Sequence, residues 1–187
     1  MLFRSGQPAF AGEAPYRPAE EVPPKPESLS DWNEEEGFHV HGSGLVLGES
    51  PGSDSDEQPR RDGYRFNLFE AALNGAWLVL TRPGSQAAEG EDAESTHWVA
   101  VHVDHAEQVD ALLGEAKELG TVFVHGGTSA AVDAELRDDP WYRRDFEAGE
   151  TKGRGFIIPL GGDGLCTWRG AFAGDSLCLV AAVAMSD

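Results

Sequence analysis

The sequence predicts an α+β domain that is predominantly β: an antiparallel β-sandwich or strongly curved sheet with one amphipathic helix and one short helix. Two observations carry that expectation. Short apolar runs with period-two alternation, separated by Gly, Asn and Asp turns, recur from Phe38 to Met185 and supply about seven or eight strands. A single long stretch, beginning at Asp104, has helical spacing instead.

The segment before these patterns differs from them. Pro8, Pro15, Pro18, Pro23, Pro24 and Pro26 lie among Glu and Ala, a composition that resists helix and sheet ladder alike. Residues 1–36 are therefore expected to be a proline-rich acidic tail or linker, with Trp32 as a possible anchor before Glu34-Glu35-Glu36. Residues 37–187 form the expected β-rich globular domain.

Within the domain, Phe38, Val40 and Leu45-Val46-Leu47 are strand-like, broken where Gly42 and Gly44 allow a turn or bulge. A polar loop follows to Asp62. Tyr64, Phe66 and Leu68 then alternate with Arg65, Asn67 and Phe69, and Asn74-Gly75 has the chemistry of a type I′ turn. A hairpin with Ala76–Leu80 as its partner strand is the natural expectation. Pro83 to Ser95 is an acidic loop. His97 to Val103 is a strand with Trp98, Ala100 and His102 on one face and Val99, Val101 and Val103 on the other.

Asp104 and Glu107 have the spacing of a capping box, and Val109, Leu112, Leu113, Ala116 and Leu119 form one helical stripe that Gly120 would end. Thr121–Val124 is a buried strand, and Ala130–Val132 is strand-like too. Asp139-Pro140 can open the short helix, with Trp141, Tyr142 and Phe146 as its apolar contacts and Gly149 past its end. Gly155–Leu160 is a further strand. Leu165–Phe172 and Leu177–Met185 form a terminal hairpin turning at Ala173-Gly174-Asp175.

A hydrophobic share of 40% in 187 residues builds one core of ordinary size. No run approaches the ~20 apolar residues of a membrane span, and Met1-Leu2-Phe3-Arg4-Ser5 has no secretory h-region, so a soluble cytoplasmic protein is expected. The net charge of -19 would repel a phosphate backbone, which argues against nucleic acid. It would attract a basic protein, although the same charge also serves solubility or a salty cytoplasm. Cys166 and Cys178, the two cysteines, read as buried thiols more than as a disulfide or a catalytic group.

Gly44-Leu45-Val46, His97-Trp98-Val99-Ala100-Val101, Gly126-Gly127-Thr128 with Val132-Asp133-Ala134-Glu135, and Gly162-Asp163-Gly164 before the last hairpin occur in a telling order. Over about residues 37–185 this order resembles an uncharacterised bacterial domain-of-unknown-function family of compact β-sandwich-type domains. The sequence departs from that family's pattern at His125, where an acidic residue is usual, and at Cys166-Thr167-Trp168, which replaces Tyr-Pro-Val. The resemblance implies no catalytic residues. The family's company of small acidic bacterial proteins resembles that of immunity proteins, which neutralise toxins by binding them.

Several constellations invite chemistry. His39 and His41 project from one face of a strand, as two metal ligands do, with His97, His102 or Glu49 as a possible third. An edge-strand pair at the surface explains the same spacing. Asp133 and Asp163 flank turn glycines, where they serve as a carboxylate pair, a calcium loop, or acceptors that fix tight turns. Gly126-Gly127-Thr128-Ser129 lacks the lysine of a phosphate loop and the elbow of a serine hydrolase, and suits a bulge. Trp32, Trp77, Trp98, Trp141 and Trp168 read mainly as core, with one or two at a rim able to anchor a partner.

The expected function is a non-catalytic protein-binding domain, an immunity or antitoxin-like inhibitor of a basic toxin, with no catalytic residue, cofactor or metal. An accessory subunit docked through its N-terminal tail and a metal-dependent enzyme using His39 and His41 stay open as alternatives.

Overall fold

The computed structural model describes residues 20–49, 67–84, 96–124, 127–136, 153–160 and 163–185, and within them ten strands form two antiparallel sheets. The strands are β1 (Asn33–Val40), β2 (Gly44–Glu49), β3 (Asn67–Ala71), β4 (Gly75–Pro83), β5 (Thr96–His102), β6 (Lys117–Val124), β7 (Thr128–Asp133), β8 (Gly155–Pro159), β9 (Gly164–Ala173) and β10 (Ser176–Met185). A six-stranded sheet runs in the order β1-β4-β5-β10-β9-β6, and a four-stranded sheet in the order β3-β2-β7-β8. The architecture is the β-sandwich-like one that the alternating pattern predicts. Among the described residues no helix is long and apolar enough to cross a membrane.

Alternation decides which side chains meet between the sheets. Phe38, Val40, Trp77, Val79, Ala100, Val122, Cys166, Trp168 and Val180 project from the larger sheet, and Leu45, Leu47, Leu68, Ala131, Phe156 and Ile158 from the smaller one. Phe38 stacks on Trp77 at 6.0 Å and on Phe156 at 5.8 Å, and Phe156 meets Trp168 edge-on at 6.1 Å. This aromatic chain joins the two layers, with spacings in the range where ring pairs attract beyond their buried area.

The opposite face of the larger sheet is also covered. Leu78, Leu80, Val99, Val101, Leu179 and Ala181 pack there under a 3-10 turn (Val103–Gln108), the helix α1 (Val109–Glu115), and an N-terminal strap that carries Leu29 and Trp32. Trp32 is only 2% exposed. The Arg82 guanidinium lies 4.1 Å above its ring and pairs with Asp110 at 3.0 Å, so one cation ties strap, sheet and helix together. Lys25 folds inward to the carbonyls of Leu29 and Trp32, closing the strap's own turn.

The faces expected for β5 are the observed ones: Trp98 and Ala100 pack in the inter-sheet core, and Val99, Val101 and Val103 in the outer cluster. The terminal hairpin is formed by β9 and β10, with Ala173 paired to Ser176 and Gly174 at φ 64° in the turn. The expectation for residues 139–149, the short helix, falls outside the described residues, as do Tyr64, Phe66, His125, Trp141 and Gly161-Gly162.

Three expectations are corrected. The Asn74-Gly75 hairpin does not form, because β3 pairs with β2 in the smaller sheet while β4 pairs with β1 and β5 in the larger one. Ala72-Leu73-Asn74 instead crosses between layers, held by a parallel bridge from Ala72 to Leu177 and by the Leu73 N–H donating to the Leu177 carbonyl. The helical stripe ends earlier than its spacing suggests. Leu119 and Gly120 belong to β6, Leu119 packs in the inter-sheet core, and Arg169 takes the Ala116 carbonyl that a longer helix would have used. The Asp104 carboxylate is not the cap either, since the His102 ring nitrogen Nδ1 accepts the Asp104 N–H. The strand β1 (Asn33–Val40) includes the acidic run Glu34-Glu35-Glu36.

Candidate functional site

The polar constellation of the described residues lies where β1 leaves the larger sheet to become β2 of the smaller one. Alternation along β1 sends Phe38 and Val40 inward and turns Gly37, His39 and His41 to the outer face. The strap returns antiparallel over that face. Val22 fills the space beside Gly37, where any Cβ would stand 2.7 Å from Val22 Cγ1, and Lys25 N–H donates to Glu34 Oε1. At the strap's first described residue, Glu20 sits against both imidazoles. Its Oε2 is 3.4 Å from His39 Nε2 and its Oε1 is 3.6 Å from His41 Nε2. The two rings are nearly parallel, 15° apart in plane with centroids separated by 6.1 Å.

Beneath this pair, Asp133 ends β7 and is 0% exposed. Its Oδ2 accepts the His41 N–H at 2.7 Å and the Arg154 guanidinium at 2.7 and 3.2 Å. Its Oδ1 accepts the N–H groups of Gly42 at 2.9 Å and Glu135 at 3.0 Å. Arg154 also reaches Glu135 Oε2 at 2.6 Å. Gly42 cannot carry a side chain here, because a Cβ would lie 2.4 Å from the Glu135 nitrogen and 2.7 Å from Asp133 Oδ1. A second knot adjoins the first. Ser43, at φ 54°, donates its N–H to Asn74 Oδ1, its hydroxyl accepts from Asn74 Nδ2, and its carbonyl accepts the Ala72 N–H. Both inter-layer crossings are thereby fastened to each other, which holds a conformation that costs a non-glycine residue ~1–3 kcal/mol.

The charge balance follows from these contacts. Burial holds the His39 imidazole below its usual range; Glu20 works against that shift, and His41 and Arg154 reinforce it. Burial also disfavours the Arg154 charge, but the hydrogen bonds and attraction of Asp133 and Glu135 outweigh it and raise the guanidinium above its ordinary value. His39 Nδ1 is buried and has no hydrogen-bond partner among the described residues.

The sequence candidates separate accordingly. His39 and His41 do come together, their near-parallel rings 6.1 Å apart and both Nε2 atoms facing the Glu20 carboxylate. His102, a proposed third ligand, uses Nε2 on the Asn74 carbonyl, and His97 lies beside Arg82 in the β4–β5 ladder. Among the described residues no group of three His, Cys, Asp or Glu side chains could hold a metal. Asp133 is buried and Asp163 exposed, so the two carboxylates occupy different environments. Every hydrogen bond of the Asp133 carboxylate is with an N–H donor, the arrangement of an acceptor that fixes a turn and the reverse of a calcium ligand. Cys166 packs between the sheets and Cys178 on the other face of the larger one, so their thiols point apart. Burial pushes Cys166 up to about 11, against a smaller opposite effect of Ser129.

Glu20 and Arg154 were not visible as partners of the histidines in the sequence. Glu20 lies in a segment whose composition reads as tail, and Arg154 has no motif around it. Comparison with protein-family models, with curated proteins and with solved structures found no match to this chain.

Proposed function

We propose that this chain is a non-catalytic protein-binding domain whose anionic exterior takes up a basic protein partner, in the manner of an immunity or antitoxin-like inhibitor. One observation supports the reading above the others: how the scarce cations are used. Among the described residues, Lys25 is turned onto the Leu29 and Trp32 carbonyls, Arg82 onto Trp32 and Asp110, Arg154 onto Asp133 and Glu135, and Arg169 onto the Ala116 carbonyl. Lys117 is exposed. The acids Glu21, Glu27, Asp31, Glu34, Glu36, Asp104, Glu107 and Glu115 are exposed as well, in a chain whose net charge is -19. Such a field accelerates encounter with a cationic surface and fades as salt shortens its range from ~30 Å at 0.01 M to ~3 Å at 1 M.

The accessory-subunit reading would use residues 1–30 as a docking arm. Leu29 of that arm is already buried on this chain's own sheet, which counts against it. The test of the main reading is co-expression with basic proteins encoded beside this chain's gene. Rescue of growth and co-purification that weakens with salt are the expected results. No rescue together with no co-purification overturns the reading.

A further inference from the structure

We propose that His39 and His41 form a carboxylate-recognition site, occupied in this chain by Glu20 and available to an external carboxylate when the first residues of the strap lift. The argument is geometric. A carboxylate carries two acceptor oxygens on one planar group, and each oxygen of Glu20 faces the Nε2 of a different imidazole, at 3.4 and 3.6 Å. Both Nε2 atoms thus face one carboxylate from near-parallel rings 6.1 Å apart. The two contacts are longer than a normal hydrogen bond of ~2.7–3.2 Å, so the occupant is seated loosely. Glu20 keeps nearly half of its side-chain surface in water, whereas His39 is almost wholly buried, so the receptor is built into the sheet and the ligand is not.

Several features keep the receptor in place without Glu20. The His39 N–H donates to the Gly153 carbonyl, and the His41 N–H is held by Asp133. Arg154, close enough to act on His39, adds positive potential, although its own hydrogen bonds go to Asp133 and Glu135. The groups facing the imidazoles are therefore Glu20 from the strap, each other along β1, and Arg154 with its two acids from the β7–β8 side. On an exterior that is otherwise anionic, this is the described place where imidazole and guanidinium donors gather. Its ligand is a carboxylate, supplied by an acidic side chain or a chain terminus.

The test uses the full chain, its Glu20→Ala variant and its Glu20→Gln variant, with acetate as the probe. Long-range proton–nitrogen spectra report the ring nitrogens of His39 and His41 during an acetate titration at constant ionic strength, with chloride as the matched control. A tethered carboxylate competes at its effective concentration, so the unaltered chain should need more acetate than Glu20→Ala for the same shift, by one plus the ratio of that concentration to the variant's acetate dissociation constant. Glu20→Gln, which keeps the packing and removes the charge, should respond as Glu20→Ala does. Saturable movement of both histidines in the variants, with the unaltered chain lagging, supports the site. Three results overturn it: no acetate response in either variant, equal responses in all three proteins, or shifts that chloride reproduces. Glu20 is exposed, so both variants should fold, and retention of the native backbone spectrum verifies that before titration.

Discussion

Replacing Asp133 with asparagine is the sharpest test of how the two layers are held. The substitution preserves shape and removes a charge and one acceptor. Asp133 accepts three backbone N–H groups and the Arg154 guanidinium while fully buried. An amide offers a carbonyl at one position and an NH₂ group at the other. If the carbonyl stays toward Gly42 and Glu135, the NH₂ group faces the His41 N–H and Arg154; if it flips, the NH₂ group faces Gly42 and Glu135. In both orientations at least one buried backbone donor meets another donor, at ~1–3 kcal/mol for each group left unsatisfied.

Losing one partner of a buried ion pair costs ~3–5 kcal/mol, but Arg154 retains Glu135 and some water, so the lower end applies. The expected loss is about 3 kcal/mol, a large part of a typical reserve of ~5–15 kcal/mol. Urea unfolding reads it as a lower midpoint at unchanged slope. Glu135→Gln, which touches an exposed carboxylate, should cost no more than ~1 kcal/mol by the same measurement. A loss below ~1 kcal/mol for Asp133→Asn would refute the reasoning, since the crossing would then stand without its acceptor.

Other consequences are open to direct measurement. Trp32→Ala should lose ~3–5 kcal/mol, and removing residues 1–30, which deletes Leu29 and Lys25, should lower the melting temperature where an inert tail would leave it unchanged. For His39 the folded state resists the proton that the unfolded chain accepts near 6.5, because burial holds the folded value lower. Stability is therefore full above pH 6.5 and falls as the pH drops below it, and His39→Asn should flatten the urea midpoint between pH 7.5 and 5. Parallel curves for the two proteins would contradict that assignment. Neither cysteine should react with a thiol reagent at pH 8 in the folded protein, since both are buried and Cys166 titrates near 11, and both should react at once in denaturant.

The parts of this fold that composition and period could reveal were those decided locally. The alternation in β5 and in the β9–β10 hairpin sorts side chains between two apolar environments, and the faces follow from period alone. The failures occur where a distant partner outbids a local signal. Asn74-Gly75 carries turn chemistry, but its hydrogen bonds go to Ser43 and His102, so the chain changes layer instead of folding back. Leu119 continues the helical stripe on paper, yet it lies in a strand beside β9 and packs against the inter-sheet core. The strap shows the same effect, because proline content reports what residues 20–32 cannot do alone and is silent about the sheet face that receives Leu29 and Trp32. At the candidate site, the His-x-His spacing was legible, whereas Glu20 and Arg154 reach it through tertiary contacts that no spacing encodes.

A chain with this much negative charge repels itself, and the cost is greatest where elements must approach closely. Of the five described cations, all but the exposed Lys117 stand at such places. Lys25 closes the turn of the strap, Arg82 joins strap to helix, Arg154 braces the crossing from β1 to β2, and Arg169 stops the helix before β6. Each neutralises acids or carbonyls at a junction, which leaves little positive charge to offset the acids on the open faces. Among the described residues, internal architecture and external field therefore share an origin: four of the five cations are drawn inward for assembly, and the exposed acids remain. The imidazole pair under Glu20 is the exception that such an arrangement permits, a small donor-lined place that an acid from this chain already tends.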